Sequence, residues 1–284
     1  MSMFFALLYA FLIGFYTIFK KVATNKTNPT VVLVMFTTTS FLLSLTLIPF
    51  GVLIPANYIW IFVLKGFILA VSWYLSLHII KDTDITLISA MDILSVILNF
   101  LVGIFIFKEN ITPMQIVGSV LILFGVTFIN LLNKKNKGTV NVLHITVLLI
   151  AAIISSGSAI IDKYSTSILT NFQVQFWFLL FVCVFSWMFF SFDCLHKKQF
   201  MIKKNDLKNY WIYLVGFFLF IGDFMLFLAY KQPNSQMIII SILSKLKILI
   251  TVISGILIFK EKSICKKLIL TGIILIGAIF ISVF

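Results

Sequence analysis

Five charged residues interrupt otherwise apolar stretches of this chain: Lys65, Asp92, Asp223, Lys245 and Lys247. A charge inside hydrocarbon costs about 2.5–3.5 kcal/mol on insertion scales, so each is a candidate for function. Asp92 belongs to a stripe made of Ser89, Asp92, Ser95, Asn99 and Gly103, whose spacings of three and four residues define one helical face. A second stripe, Ser241, Ser244, Lys247, Thr251 and Gly255, stands 152 residues further along and is again polar or glycine throughout. Asp92 matches Ser244 and Lys247 matches Ser95, so one stripe offers an anion and the other a cation. Such a pair suits a zwitterion, with Lys247 facing a carboxylate and Asp92 an ammonium group. The competing reading is a structural bridge from Asp92 to Lys247 or Lys245, because intramembrane charges also pair with one another.

Lys245 and Lys247 stand about 160° apart on an ideal helix, so only one is expected to face the stripe, and Lys247 fits it better. Asp223 shares a face with Gly216 and Tyr230, each seven residues away. It could relay a proton or neutralise Lys245. Trp73 leads an aromatic set, with Tyr9, Tyr16, Tyr74 and Trp177, that could hold a cation over ring faces. The candidate substrate-binding set is therefore Asp92, Lys247, Asn99, Ser95, Ser244, Lys245, Asp223 and Trp73. Lys65 stands toward an end of its apolar run and is expected to snorkel to water. Glu109 and Glu261, the two glutamates of the chain, are expected to bond backbone amides at the start of the following helix. His78 reads as an interfacial residue.

The elements that position these residues are membrane spans. The chain is 61% hydrophobic and 11% charged over 284 residues, more apolar than any soluble domain of that length needs. Ten apolar runs fit at 3–19, 30–50, 57–79, 85–107, 113–132, 142–161, 172–192, 209–230, 234–259 and 264–283. The net charge of +13 comes from lysine alone, and most lysines stand in short links between runs. They read as topology signals, and no basic polar domain suggests nucleic acid. Links after odd-numbered runs hold 16 lysines and links after even-numbered runs hold three. The positive-inside rule then places the odd links in the cytoplasm and both termini outside.

The chain repeats itself. Residues 103–129 and 255–281 align without a gap and are identical at 11 of 27 positions. Both segments open on Gly-Ile-x-Ile-Phe-Lys-Glu, ending at Glu109 and at Glu261. Gly66 and Lys81 match Gly216 and Lys231 at an offset of 150, and Gly14 to Lys20 more weakly matches Gly157 to Lys163. Five spans per half forces the halves into the membrane in opposite orientations, an inverted repeat. The expected units are 1–136 and 137–284, divided near Asn133 to Gly138.

A ten-span duplication with Lys-Glu closing spans 4 and 9, and a glycine-bearing last span, resembles the drug/metabolite transporter superfamily and its EamA-type branch. Asp162-Lys163-Tyr164 after span 6 resembles the same branch. The resemblance implies an all-α membrane protein of ten helices around a central cavity lined by spans 3, 4, 8 and 9. It also implies alternating access for a small polar metabolite, often an amino acid. No nucleotide-binding motif supports direct use of ATP, and no cofactor or metal set is recognisable; Cys183, Cys194 and Cys265 have no ligand spacing. The reading is a secondary transporter in the cytoplasmic membrane, monomer or homodimer, with a proton as candidate coupling ion. The alternatives are a drug or quaternary-amine exporter, and a membrane-embedded lipid-modifying enzyme using His78, Asp82 and Asp84.

Overall fold

Two local stops show how the helices are punctuated. The Asn28 side chain accepts the Thr30 amide at 3.0 Å, and Pro29 needs no amide partner at the first helical position. At Thr170 the hydroxyl accepts from the Gln173 amide, and the Gln173 side chain accepts from the Thr170 amide. These caps separate α1 (Ser2–Lys26) from α2 (Pro29–Ser44), and α6 (Val142–Ile168) from α7 (Asn171–Lys197). The computed structural model describes residues 1–79, 85–132, 142–250, 253 and 264–283. Lys81, Asp82, Asp84, Thr251, Gly255 and Glu261 lie outside that set, as does the link at 133–138 and the side chain of Asp92.

Regular structure in the described residues is helical throughout. A 3-10 turn, Leu45–Phe50, prolongs α2. Then follow α3 (Ile59–Ile79), α4 (Ile85–Phe105) and α5 (Pro113–Leu132). After α7 come a short α8 (Lys204–Leu207), α9 (Tyr210–Lys231), α10 (Met237–Leu243) and α11 (Ile264–Val283). Five described helices are long and apolar enough to cross a membrane, and shorter apolar helices cover Ser95–Phe105, Pro113–Phe128 and Ile269–Ile281. Two boundaries depart from the sequence expectation. The sixth helix runs on to Ile168, so Asp162 and Lys163 lie inside it. The ninth run is broken: α10 gives way to a 3-10 turn at Ser244–Leu246 before residues 247–250 are helical again.

Small residues set the helix contacts. The Gly118 and Gly277 backbones touch where α5 crosses α11, and Gly125 meets Ile274 and Leu270 on the same pair. Shifting by 152 turns Gly118 into Leu270 and Gly125 into Gly277, so the contacts 118–277 and 125–270 are copies of each other. Gly66 of α3 receives Phe181 and Val182 of α7, and Gly216 of α9 receives Phe36 and Thr39 of α2. Those two contacts also correspond across the duplication, Gly66 matching Gly216. Direction agrees with alternate crossing. Phe15 stacks near Phe218 and Phe19 near Trp211, so α1 and α9 run antiparallel. Gly66 meets Phe181 whereas Tyr74 meets Phe189, so α3 and α7 run parallel, as helices an even number of passes apart must. Residues 31–36 of α2 are buried all round, because α7 and α9 both pack on that helix.

Candidate functional site

A cavity of about 220 Å³ opens inside the bundle, between α1, α3, α4, α6, α7, α9 and α10. Seven of the eight residues picked out in the sequence line it: Trp73, Ser95, Asn99, Asp223, Ser244, Lys245 and Lys247. Asp92 stands on α4, one turn before Ser95, with its side chain outside the described residues. The two stripes do meet. Asn99 Nδ2 donates to Ser241 Oγ at 3.0 Å, joining α4 to α10. Ser156 Oγ of α6 donates to Asn99 Oδ1 at 2.6 Å, so one amide ties three helices together at the cavity wall.

The expectation that Lys245 and Lys247 point apart is overturned, since both line this cavity. The 3-10 turn at Ser244–Leu246 is the physical reason. Its tighter winding turns the chain about 120° per residue instead of 100°, bringing the second lysine round toward the first. Lys245 is 9% exposed and its Nζ lies 3.5 Å from Ser95 Oγ.

Lys65 does not snorkel. It is 1% exposed and ion-paired with Asp162 of α6, itself buried. Its ammonium lies 3.7 Å from the Phe178 ring centre and 4.6 Å from that of Phe227, so two aromatic faces complete its shell. Lys65, expected to snorkel, and Asp162 were not in the substrate-binding set, yet both line the cavity. Their places on α3 and α6 carried no hint of pairing, because the sequence placed Asp162 beyond the end of its span. Asp223 lies on the same cavity, 8% exposed, and forms no hydrogen bond or ion pair among the described residues.

Of the aromatic set, Tyr9 and Trp73 reach the cavity. The other three serve packing and hydrogen bonding. Tyr16 accepts from Lys20 at 3.2 Å, Tyr74 donates to Asp193 Oδ1 at 2.7 Å, and Trp177 donates to the Val52 carbonyl at 2.8 Å. Asp193 went unnoticed in the sequence. It also accepts from Thr30 Oγ1 at 2.7 Å, and His78 Nε2 lies 3.3 Å from that hydroxyl. This cluster fastens the ends of α2, α3 and α7.

Glu109 bonds backbone amides, as expected, but not at the next helix. Its carboxylate accepts from the amides of Met237 at 2.6 Å and Ile238 at 3.0 Å, at the start of α10. It also pairs with Lys163, whose Nζ donates to the Ser235 carbonyl at 3.1 Å. The first turn of α10, just before the cavity-lining Ile240 and Ser241, is thus held by side chains from the α4–α5 link and from α6.

The sequence model of the EamA-like transporter family matches residues 1–131. No curated protein matches the chain significantly. A solved structure titled "Crystal structure of protein" superposes with a TM-score of 0.76 at 15% identity, covering 99% of this chain and 95% of that one. The likeness shows a shared fold across the whole chain, and the family match over the first half bears out the resemblance to the drug/metabolite transporter superfamily. Together they support a membrane transporter of that type.

Proposed function

We propose that the protein is a secondary transporter that moves a small zwitterion, an amino acid or a solute like it, across the cytoplasmic membrane by alternating access. One observation carries the reading: a single buried cavity brings the Asp223 carboxylate together with two amines, Lys245 and Lys247. A zwitterion satisfies both signs at once, and an uncompensated charge in this setting is costly. Asp223 and Asp92 are the candidate partners of the substrate ammonium, and Lys247 of its carboxylate. Ser95, Asn99 and Ser244 supply hydrogen bonds, and Trp73 a wall. Asp223 is also the natural place for a coupling proton, having no ion-pair partner among the described residues.

Size speaks against a drug exporter. The cavity holds about 220 Å³, under the roughly 300–1,000 Å³ usual for drug-sized ligands. Lys245 and Lys247 on its wall would also repel a quaternary amine. The lipid-modifying alternative relies on Asp82 and Asp84, outside the described residues, and on His78, which is bonded to the Tyr74 carbonyl at 2.8 Å. Two inverted units, 1–136 and 137–284, are the architecture that the paired contacts at Gly118, Gly125, Gly66 and Gly216 favour.

The test is uptake of labelled amino acids and of a quaternary amine into vesicles reconstituted with the purified protein. Uptake of a zwitterion that falls with Asp223→Asn and with Lys247→Gln is the expected result. Transport of the quaternary amine alone, or of neutral solutes unaffected by either substitution, would sink the reading.

A further inference from the structure

His78, at the end of α3, faces an acceptor with each ring nitrogen. Nδ1 lies 2.8 Å from the Tyr74 carbonyl oxygen, which has no hydrogen to give. Nε2 lies 3.3 Å from Thr30 Oγ1. That hydroxyl has one hydrogen, and it is committed: Thr30 Oγ1 donates to Asp193 Oδ2 at 2.7 Å. Toward His78 the hydroxyl can therefore only accept. Both ring nitrogens must donate, and an imidazole with a hydrogen on each is an imidazolium. Turning the ring over would set carbon atoms against both oxygens and forfeit both contacts, so its partners fix its orientation.

The positive charge has its counter-ion one hydroxyl away. Asp193 is 7% exposed and takes one hydrogen on each carboxylate oxygen, from Thr30 and from Tyr74 Oη at 2.7 Å. Thr30, between ring and carboxylate, is fully buried. Among the described residues no other charged group bonds the ring. α2 carries no ionisable side chain. On α7, His196 stacks on the exposed Phe192, and Lys197 lies 3.7 Å from Met201 Sδ. α6 also packs on α3; its Asp162 and Lys163 are paired with Lys65 and Glu109, and its Tyr164 is exposed. The side chains of His144 at the start of α6, and of Lys81, Asp82 and Asp84 after α3, lie outside the described residues.

We propose that His78, Thr30 and Asp193 form a protonated latch, an imidazolium and a carboxylate bridged by one hydroxyl, which clamps the end of α3 to α2 and α7 and releases when the ring loses its proton. Without that proton the network is one hydrogen short. Thr30 either keeps donating to Asp193, leaving two lone pairs face to face, or turns to His78 and leaves a buried carboxylate oxygen without its donor. Either way a bond is lost. The helix so loosened carries Lys65, Leu69 and Trp73 on the wall of the central cavity. The latch stands at the membrane face that the lysine pattern assigns to the cytoplasm, and it would sense the pH there. Its contribution is present at low pH and lost as pH rises through the range where the ring titrates. It does not depend on which solute the cavity carries.

The experiment is nitrogen NMR of the purified full-length protein in detergent, its histidines labelled with the heavy isotope. The chain has three histidines, and the signal that disappears in His78→Gln identifies the ring. At about pH 7.5, where a solvated histidine is mostly neutral, His78 should show two protonated nitrogens. Asp193→Asn should return it to the neutral form. Between about pH 6 and 9 the melting midpoint should fall by a few degrees more in the wild type than in His78→Gln, which lacks the titrating ring. A neutral ring in the wild type, or a protonated one that Asp193→Asn leaves unchanged, would overturn the charge pair. An equal fall in both proteins would overturn the latch.

Discussion

Gly118 and Gly277 meet backbone to backbone: a β-carbon on either would lie 2.6 or 2.7 Å from the other's carbonyl oxygen. Neither carbonyl can give way without moving its helix. Gly118→Ala and Gly277→Ala should each destabilise the protein by about 1–3 kcal/mol, as overpacking does. Both strain one contact, so the double variant should lose less than the sum. Denaturation of the three variants in detergent measures this; full additivity would mean that the helices do not cross here.

Lys65→Met strands the Asp162 carboxylate among apolar neighbours. It should cost about 3–5 kcal/mol, the usual result of breaking a buried pair from one side. Removing both charges, Lys65→Met with Asp162→Asn, should recover most of the loss. Thermal melting of the single and double variants is the check, and a double variant no better than the single one would mean that the pair is not the partner relationship in the membrane.

The Met237 and Ile238 amides bond different carboxylate oxygens, so Glu109→Gln keeps an acceptor for only one of them and drops the ion pair with Lys163. Glu109→Ala loses both acceptors, so the alanine variant should be the less stable by about 1–3 kcal/mol. Equal melting of the two would show that the capping bond kept by glutamine contributes nothing.

Asp92→Asn and Lys247→Gln should each lower transport at least about tenfold, equivalent to roughly 1.4 kcal/mol, in protein that still inserts and folds. Swapping the two charges separates the readings, because a structural bridge tolerates the swap and a polarised zwitterion site does not. Normal transport by both single variants would remove these residues from the site.

The link after α7 carries Lys197, Lys198, Lys203, Lys204 and Lys208 and should face the cytoplasm. A cysteine placed at Lys203, in a background without Cys183, Cys194 and Cys265, should stay unlabelled by an impermeant reagent added to intact cells. Ready labelling would reverse the orientation.

The sequence alone determined that this is a helical membrane protein, that its stretches repeat, and that the α4 and α10 stripes face one space. Composition reports burial in lipid, and spacings of three and four report a shared face; both are local properties that survive in one dimension. Four of the seven candidates that line the cavity, Ser95, Asn99, Ser244 and Lys247, were found on that basis. Periodicity names a face but not the partner across from it. Only the tertiary structure paired Lys65 with Asp162, because the meeting depends on α6 running past its apolar stretch and lying against α3. Only the structure sent Glu109 to the first turn of α10, more than 120 residues away in sequence. The convergence of Lys245 and Lys247 depends on a 3-10 turn, which the sequence, read as one regular helix, does not announce. Which charges meet is decided by how helices cross, and crossing is set by long-range contacts such as Gly118 against Gly277.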